Sequence, residues 1–230
     1  EAIKVMHRQY ASNPSFRKRF EREASLGLTL DHPGIVKVHD LVVDAGMLAL
    51  IMERVEGREL AEMIGEEVGP IPWTRARPIF HGILEAMAYA HENQVIHRDL
   101  KSENVLIQPD DSIKILDFGI AKKVGSSGTK TGTGMGTVNY MAPEQYTDAK
   151  SVTHLADIYA LGMTLYEMLA GRLPWESSAT DFAILRQKAE EDLPPPTTYY
   201  PDIPDYVVRL IAQATAADPA RGHRAPRPRH

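Results

Sequence analysis

The chain has no cysteine, no excess of basic residues and no long hydrophobic run. Without cysteine there is no disulfide framework, which fits a reducing compartment such as the cytoplasm. Neither a signal peptide nor a run of 18 apolar residues is found, so no segment of this chain is expected to span a membrane, although an anchor could lie outside it. The net charge of −5 gives no reason to expect nucleic-acid binding.

The remaining composition is that of an ordinary globular protein. Hydrophobic residues make up 43% of the 230 residues and charged residues 25%, which suits one large domain or two small lobes. The last ten residues differ, because four of them are arginine and two are proline. We expect residues 221–230 to be a disordered linker, with a membrane-proximal basic segment as the alternative.

The most informative stretch is residues 97–119. Val105–Ile107 and residues 113–116 are short, β-branched apolar runs, and the residues between them, QPDDS, are typical of a turn. This pattern predicts a β-hairpin.

The predicted hairpin gathers oxygen-bearing side chains. Asn104 precedes its first strand and Asp117 follows its second, and an antiparallel pair brings those two ends together. One or two such oxygens commonly hold Mg²⁺ while substrate phosphates complete its coordination. Each residue alone, Asp99 included, could equally be an ordinary turn residue.

Four ordered motifs resemble the signature of the Hanks-type (eukaryotic-like) serine/threonine protein kinases, in their bacterial branch. They are Ala2-Ile3-Lys4, the run HRDLKSEN from His97 to Asn104, Asp117-Phe118-Gly119 and Ala142-Pro143-Glu144. The resemblance implies an α+β, bilobal fold. Residues 1–54 would form an incomplete small antiparallel β lobe with helix αC, residues 55–220 a larger and mainly helical lobe, and residues 221–230 a tail.

The same resemblance implies transfer of the γ-phosphoryl group of ATP, with Mg²⁺, to serine or threonine hydroxyls of protein substrates. It also makes a homodimer a candidate assembly. In the family a glycine-rich loop precedes the lysine strand, whereas Glu1 stands only three residues before Lys4. The chain is therefore expected to be a piece of a longer protein or a truncated one, and a non-catalytic scaffold is the alternative function. Against that alternative, the chain keeps Lys4, Asp99 and Asp117.

A helix is predicted to start at Asn13-Pro14 and to run to about Leu30. Glu23 falls in the middle of its apolar stripe, where a carboxylate needs a cationic partner. Lys4 is the nearest candidate, and the alternative is that Glu23 reaches solvent at the edge of the stripe. In the family this lysine contacts the α- and β-phosphates, and the glutamate positions it.

Strands are predicted at residues 35–39 and 48–52, and the segment after them resembles the hinge that contacts adenine. The resemblance assigns the nucleotide contacts to Met52 as gatekeeper, to Glu53 and Val55 as hinge backbone positions, and to Glu59 at the ribose.

The resemblance assigns the chemistry to a few polar side chains. Asp99 would accept or orient the proton of the attacking hydroxyl, and Lys101 would neutralise charge on the moving phosphoryl group. Asn104 and Asp117 would hold the metal. Thr137 would bridge Asp99 and Lys101 within the peptide-docking loop, residues 136–144.

Residues 125–134 are rich in glycine, serine and threonine and are expected to be a mobile loop. A phosphate on Thr129 or Thr131, with Thr133 in reserve, would add negative charge that Arg98 could receive. We therefore expect autophosphorylation of this loop. Further along, residues 155–169 are apolar on nearly every face and predict a central helix in which Asp157 has a scaffold role.

Overall fold

The computed structural model describes residues 1–6, 14–44, 47–66, 70–118, 137–147, 152–175 and 180–216. Contacts divide the chain into two units, one of residues 1–62 and 78–122 and the other of residues 63–77 and 123–230. The first unit thus includes the 105–115 hairpin together with the N-terminal sheet. The predicted domain boundaries remain a prediction.

The described elements alternate between short strands and longer helices. The strands are β1 (Ala2–Val5), β2 (Val38–Asp44), β3 (Met47–Met52), β4 (Arg58–Glu59), β5 (Val105–Ile107) and β6 (Ile113–Ile115). The helices are α1 (Pro14–Thr29), α2 (Leu60–Glu66), α3 (Trp73–Glu92), α4 (Pro143–Thr147), α5 (His154–Ala170), α6 (Asp181–Glu190) and α7 (Asp205–Ala214). Single 3₁₀ turns cover Ser102–Asn104, Thr137–Asn139 and Pro196–Thr198.

The first sheet is antiparallel in the order β1-β3-β2, and α1 covers one of its faces. Its core consists of Phe20 and Ala24 from the helix with Leu48 and Leu50 from the sheet, all nearly inaccessible to solvent. The predicted helix is thus confirmed from Pro14 onward, and its expected cap, Asn13, lies outside the described residues.

The predicted strand at residues 35–39 is wrong in its position, since β2 begins only at Val38. Ile35 instead forms an isolated parallel bridge with Ile115, and the N–H of Val36 donates to the Ile115 carbonyl at 3.0 Å. The apolar pair at 35–36 is buried against β6 rather than in the first sheet. Sequence periodicity shows that a segment is buried but not which neighbour buries it.

The predicted hairpin is confirmed. β5 and β6 pair antiparallel, with Val105 opposite Ile115 and Ile107 opposite Ile113. A third strand, β4, adds to β5 and was not foreseen, because two polar residues carry no strand pattern.

The second unit is built around α5, which the sequence predicted correctly as a buried helix. Thirteen of its residues are buried, Asp157 among them. The Thr153 side chain caps its start by accepting from the N–H of Leu155, and Gly171 ends it at a φ of 71°. This left-handed conformation favours glycine, so the chain turns there at little cost.

Helix α3 runs from Trp73 to Glu92 and contains Pro78 near its N-terminal end. A proline removes one N–H donor, and this long helix accepts that loss. No helix among the described residues is both long and apolar enough to cross a membrane.

Gly57 provides a test of the β4–β5 packing. A methyl group there would lie 2.6 Å from the carbonyl oxygen of Ile107, a backbone atom that cannot move without disturbing the strand pair. We expect Gly57→Ala to lower the free energy of unfolding by about 1–3 kcal/mol in urea denaturation.

The matched control is Gly65→Ala. Gly65 lies in α2, and apart from its chain neighbours and the backbone of its own helix no described atom lies within 4 Å of the added methyl group. The higher helix propensity of alanine should therefore raise stability by up to about 1 kcal/mol. Equal shifts for the two variants would contradict the close approach at Gly57.

Candidate active site

The β5–β6 hairpin brings the two predicted metal ligands to the same end of the strand pair. Asn104 ends a 3₁₀ turn immediately before β5, and its carbonyl accepts from the N–H of Leu116 at 2.8 Å. Asp117 is the next residue after Leu116. The backbone hydrogen bond therefore joins the ends from which both side chains project.

Asp99 is held to the same place by Asn104. The Asn104 side-chain nitrogen donates to the Asp99 carbonyl at 2.7 Å, and the Asn104 side chain is almost fully buried. Because the amide nitrogen is used in this bond, the amide oxygen is the atom left to contact a cation. Asp99, Asn104 and Asp117 thus form one polar cluster.

The buried His97 ring links the backbone of two segments of this cluster. The N–H of Asp99 donates to its Nδ1 at 3.3 Å, so Nε2 carries the ring proton and donates to the Leu116 carbonyl at 2.9 Å. The ring is fully buried and lies against Phe118, with ring centroids 4.7 Å apart. These contacts give His97 and Phe118 a packing role.

Two residues of the cluster region have unusual backbone conformations. Arg98 has a φ of 66° and Asp117 a φ of 59°, the left-handed region that non-glycine residues rarely adopt. Each costs about 1–3 kcal/mol and persists only where the surroundings impose it. Strain of this kind is concentrated at functional sites, and here it sets the direction in which the Asp117 carboxylate points.

Lys4 joins the cluster from β1. Its Nζ lies 2.5 Å from Oδ1 of Asp117, although 113 residues separate the two in sequence. Strand alternation exposes Ile3 and Val5 and turns Lys4 to the other face. The predicted partner, Glu23, lies on α1, but its side chain is outside the described part of the chain, so that pair stays a prediction.

The segment after β3 is anchored by an ion pair that the sequence analysis missed. The Glu53 carboxylate accepts from Lys114 Nζ at 2.5 Å and from the N–H of Lys37 at 2.9 Å, and the N–H of Glu53 donates to the Lys37 carbonyl at 2.9 Å. The adenine contact expected of Glu53 involves its carbonyl, so the side chain can anchor the segment after β3.

The other predicted nucleotide residues lie in the same unit. Met52 ends β3, Glu59 lies in β4 opposite Leu106, and Val55 is half-buried in the intervening segment. Met52 and Asp117 also line one small apolar pocket. The remaining residues of its wall are Gly27, Leu30, Ile35, Val36, Val38, Leu50 and Phe118.

Lys101 is mostly buried and lies 3.4 Å from the Glu103 carboxylate, a pairing that was not foreseen. Thr137 starts the 3₁₀ turn Thr137–Asn139, but its side chain is outside the described part of the chain. The predicted phosphorylation sites Thr129 and Thr131 also lie outside the described residues.

The oxygen donors of the cluster fit Mg²⁺ in chemical type. Asn104 contributes an amide oxygen and Asp117 a carboxylate, the hard ligands that this ion prefers. Within the described ranges, no three His, Cys, Asp or Glu side chains converge into a complete protein cage. Magnesium in phosphate-transfer sites is held by one or two protein oxygens plus the phosphates, and the Asn104–Asp117 pair matches that number.

Comparison with known proteins agrees with the motifs. A family model described as the protein kinase domain matches residues 1–221. The serine/threonine-protein kinase PrkC of Bacillus subtilis is 40% identical over 220 residues, which are 95% of this chain and 33% of that protein. PknD of Mycobacterium tuberculosis is 37% identical over 221 residues, again 95% of this chain and 33% of that protein.

Solved structures give the same result for the fold. The kinase domain of Mycobacterium tuberculosis PknI superimposes with a TM-score of 0.73 at 29% identity, covering 95% of this chain and 77% of that domain. The chain belongs to the protein kinase family, has its α+β fold, and resembles bacterial serine/threonine kinases in sequence. It spans about one third of the length of the curated relatives it matches.

The Glu53–Lys114 pair is testable by a double-mutant cycle with Glu53→Gln and Lys114→Met. Both side chains are largely buried, at 26% and 15% exposure, so we expect a coupling of about 1–3 kcal/mol in urea denaturation. The control cycle is Arg186–Glu190, an exposed pair on α6, for which the coupling should stay below about 0.5 kcal/mol. Similar couplings in both cycles would show that Lys114 does not anchor the segment after β3.

Proposed function

We propose that this chain transfers the γ-phosphoryl group of Mg-ATP to serine and threonine hydroxyls of proteins. The observation that carries the proposal is the convergence of Asp99, Asn104 and Asp117 with Lys4, which joins a proton acceptor, two oxygen ligands and a cation. Phosphoryl transfer asks little covalent chemistry of a protein, and positioning and charge neutralisation supply most of the catalysis.

In the proposed reaction the acceptor hydroxyl oxygen forms a bond to the γ-phosphorus while the bond from that phosphorus to the β–γ bridging oxygen breaks. The products are the phosphorylated protein and ADP. The hydroxyl proton passes to the Asp99 carboxylate, whose backbone is fixed on one side by His97 and on the other by Asn104.

The nucleotide phosphates would be held by Lys4 and by the metal pair. Bound Mg²⁺ would neutralise charge on the phosphate oxygens. Asn104 and Asp117 would supply oxygen ligands to the metal, and Glu23 would position Lys4. Because Lys4 and Asp117 already lie in contact, a phosphate and a cation could be received there with small side-chain movements.

Adenine and ribose would lie against Met52, the backbone of Glu53 and Val55, and Glu59. The Glu53–Lys114 pair supports this assignment, because it leaves the Glu53 side chain engaged and its carbonyl as the group to face a nucleotide. The acceptor class follows from Lys101 and Thr137, whose family counterparts favour serine and threonine. We also infer a cytoplasmic site of action, which the absence of cysteine supports.

We further propose that phosphorylation of Thr129 or Thr131 by the kinase itself switches activity on. Arg98 is exposed next to Asp99 and bears a guanidinium suited to a phosphate, so charge in the loop could act directly on the catalytic segment.

The proposed chemistry is tested by Asp99→Asn and Asp117→Asn in a labelled-ATP assay with dephosphorylated casein as acceptor. Each should lower transfer by about 10²-fold or more, since one removes the proton acceptor and the other a metal-binding charge. Asn tolerates the left-handed φ of residue 117, so the fold should persist.

The matched control is Asp111→Asn, an exposed aspartate of the same hairpin with a φ of 62°. It should retain full activity. If the unmodified protein transferred no label, the scaffold alternative would replace the enzyme. Label that persisted in the Asp117 variant would remove the metal role of that residue.

The switch is tested by replacing Thr129 and Thr131 together with alanine, using Thr198→Ala, an exposed threonine in a 3₁₀ turn, as the control. The double variant should lose incorporated phosphate, and its transfer to casein should fall about tenfold or more, because a loop phosphate adds one to three charge-assisted hydrogen bonds. Unchanged transfer in the double variant would refute the switch.

A further inference from the structure

Lys188 is a buried cation on α6 that none of the assignments above uses. Its side chain is only 3% exposed. Its Nζ donates to three backbone carbonyls, those of Val138 at 2.8 Å, Asn139 at 2.7 Å and Met141 at 2.8 Å. All three acceptors belong to the segment that resembles a peptide-docking loop.

Aromatic rings enclose the same ammonium group. Nζ lies 4.9 Å from the ring centroid of Tyr159 on α5 and 5.5 Å from that of Trp175. Such contacts stabilise a cation that has been removed from water. Three donors, three carbonyl acceptors and two ring faces make this a built site rather than a chance burial of lysine.

We propose that Lys188 is a positioning residue for the acceptor protein, because it fixes residues 138–141 in the shape on which the acceptor segment docks. The inference rests on the proposed function, which supplies the docking role of this loop. Lys188 acts through the loop backbone and does not itself contact the reacting atoms.

Hydrogen-bond counting explains why a lysine suits this position. An ammonium group has three N–H donors, which match the three carbonyls, whereas a neutral amine has only two. Burial lowers the pKa of Lys188 to about 7. As the pH rises through this value the group loses its charge and one donor, so the hold on the loop weakens on the alkaline side.

The titratable or charged side chains on the elements that contact Lys188 include Tyr159 on α5, Glu144 on α4, the Tyr140–Glu167 pair and, on its own helix, the Arg186–Glu190 pair. Burial raises the pKa of Tyr159 further above neutrality, with the charge of Glu144 as the second cause. A pH effect near 7 that vanishes with the Lys188 side chain therefore belongs to Lys188.

The test compares Lys188→Met, which keeps length and apolar volume but removes the donors, with Arg186→Met on the exposed side of the same helix. In Lys188→Met, amide hydrogen exchange across residues 138–145 should rise about tenfold. The KM for casein should also rise about tenfold, while kcat and the KM for ATP stay within about twofold. Arg186→Met should change none of these quantities.

Two further measurements test the role of the Lys188 charge and provide a second variant. The KM for casein of the unmodified protein should rise from about pH 6 to about pH 8 by more than that of Lys188→Met. If Lys188→Met fails to fold, Lys188→Gln, which keeps two N–H donors, carries the test with smaller shifts of the same sign.

Unchanged exchange in the loop of the folded variants would overturn the inference, and so would faster exchange with an unchanged KM for casein. A third outcome separates the two proposals. If the unmodified protein transfers no label but amide exchange in the loop is faster in Lys188→Met, the proposed function and the docking role are refuted, whereas the contact between Lys188 and the loop is established.

Discussion

The register of the β5–β6 hairpin is the constraint on which the candidate active site depends. With Val105 opposite Ile115, the residue before β5 and the residues after β6 are joined by the bond from the Leu116 N–H to the Asn104 carbonyl. A slip of one residue would turn every side chain to the opposite face. The juxtaposition of Asn104 and Asp117, the His97 contact with the Leu116 carbonyl and the left-handed φ of Asp117 all require this one register.

Polar side chains that bond to the backbone recur throughout the molecule. Asn104 fixes the Asp99 carbonyl, the Glu53 carboxylate accepts from the Lys37 N–H, and Lys188 binds three carbonyls of one loop. A buried polar group is tolerated only when it is hydrogen-bonded, so each contact fixes both the side chain and the irregular segment it touches. These hydrogen bonds fix irregular segments that lack the backbone hydrogen bonds of a helix or a sheet.

Much of the fold was predictable because its signals are local. The hairpin, α1 and the apolar α5 each follow from residue periodicity and from the turn or cap residues that bound them, and the kinase motifs placed Asp99, Asn104 and Asp117 in the candidate site. The errors arose where partners are distant. Residues 35–36 pair with β6 instead of starting β2, and β4 is too short and polar to show a pattern.

The sequence by itself therefore determined the family, the hairpin and the identity of the polar residues, since these depend on residue type and short spacing. Only the tertiary structure showed that Lys4 contacts Asp117, that Lys114 anchors Glu53 and that Lys188 reaches the loop at 138–141. The sequence separation is 47 residues for Lys188 and Met141 and 113 residues for Lys4 and Asp117. The sequence does not show which distant group a charged side chain will contact. That partner is set when the elements pack, because the cost of removing the charge from water has to be offset there.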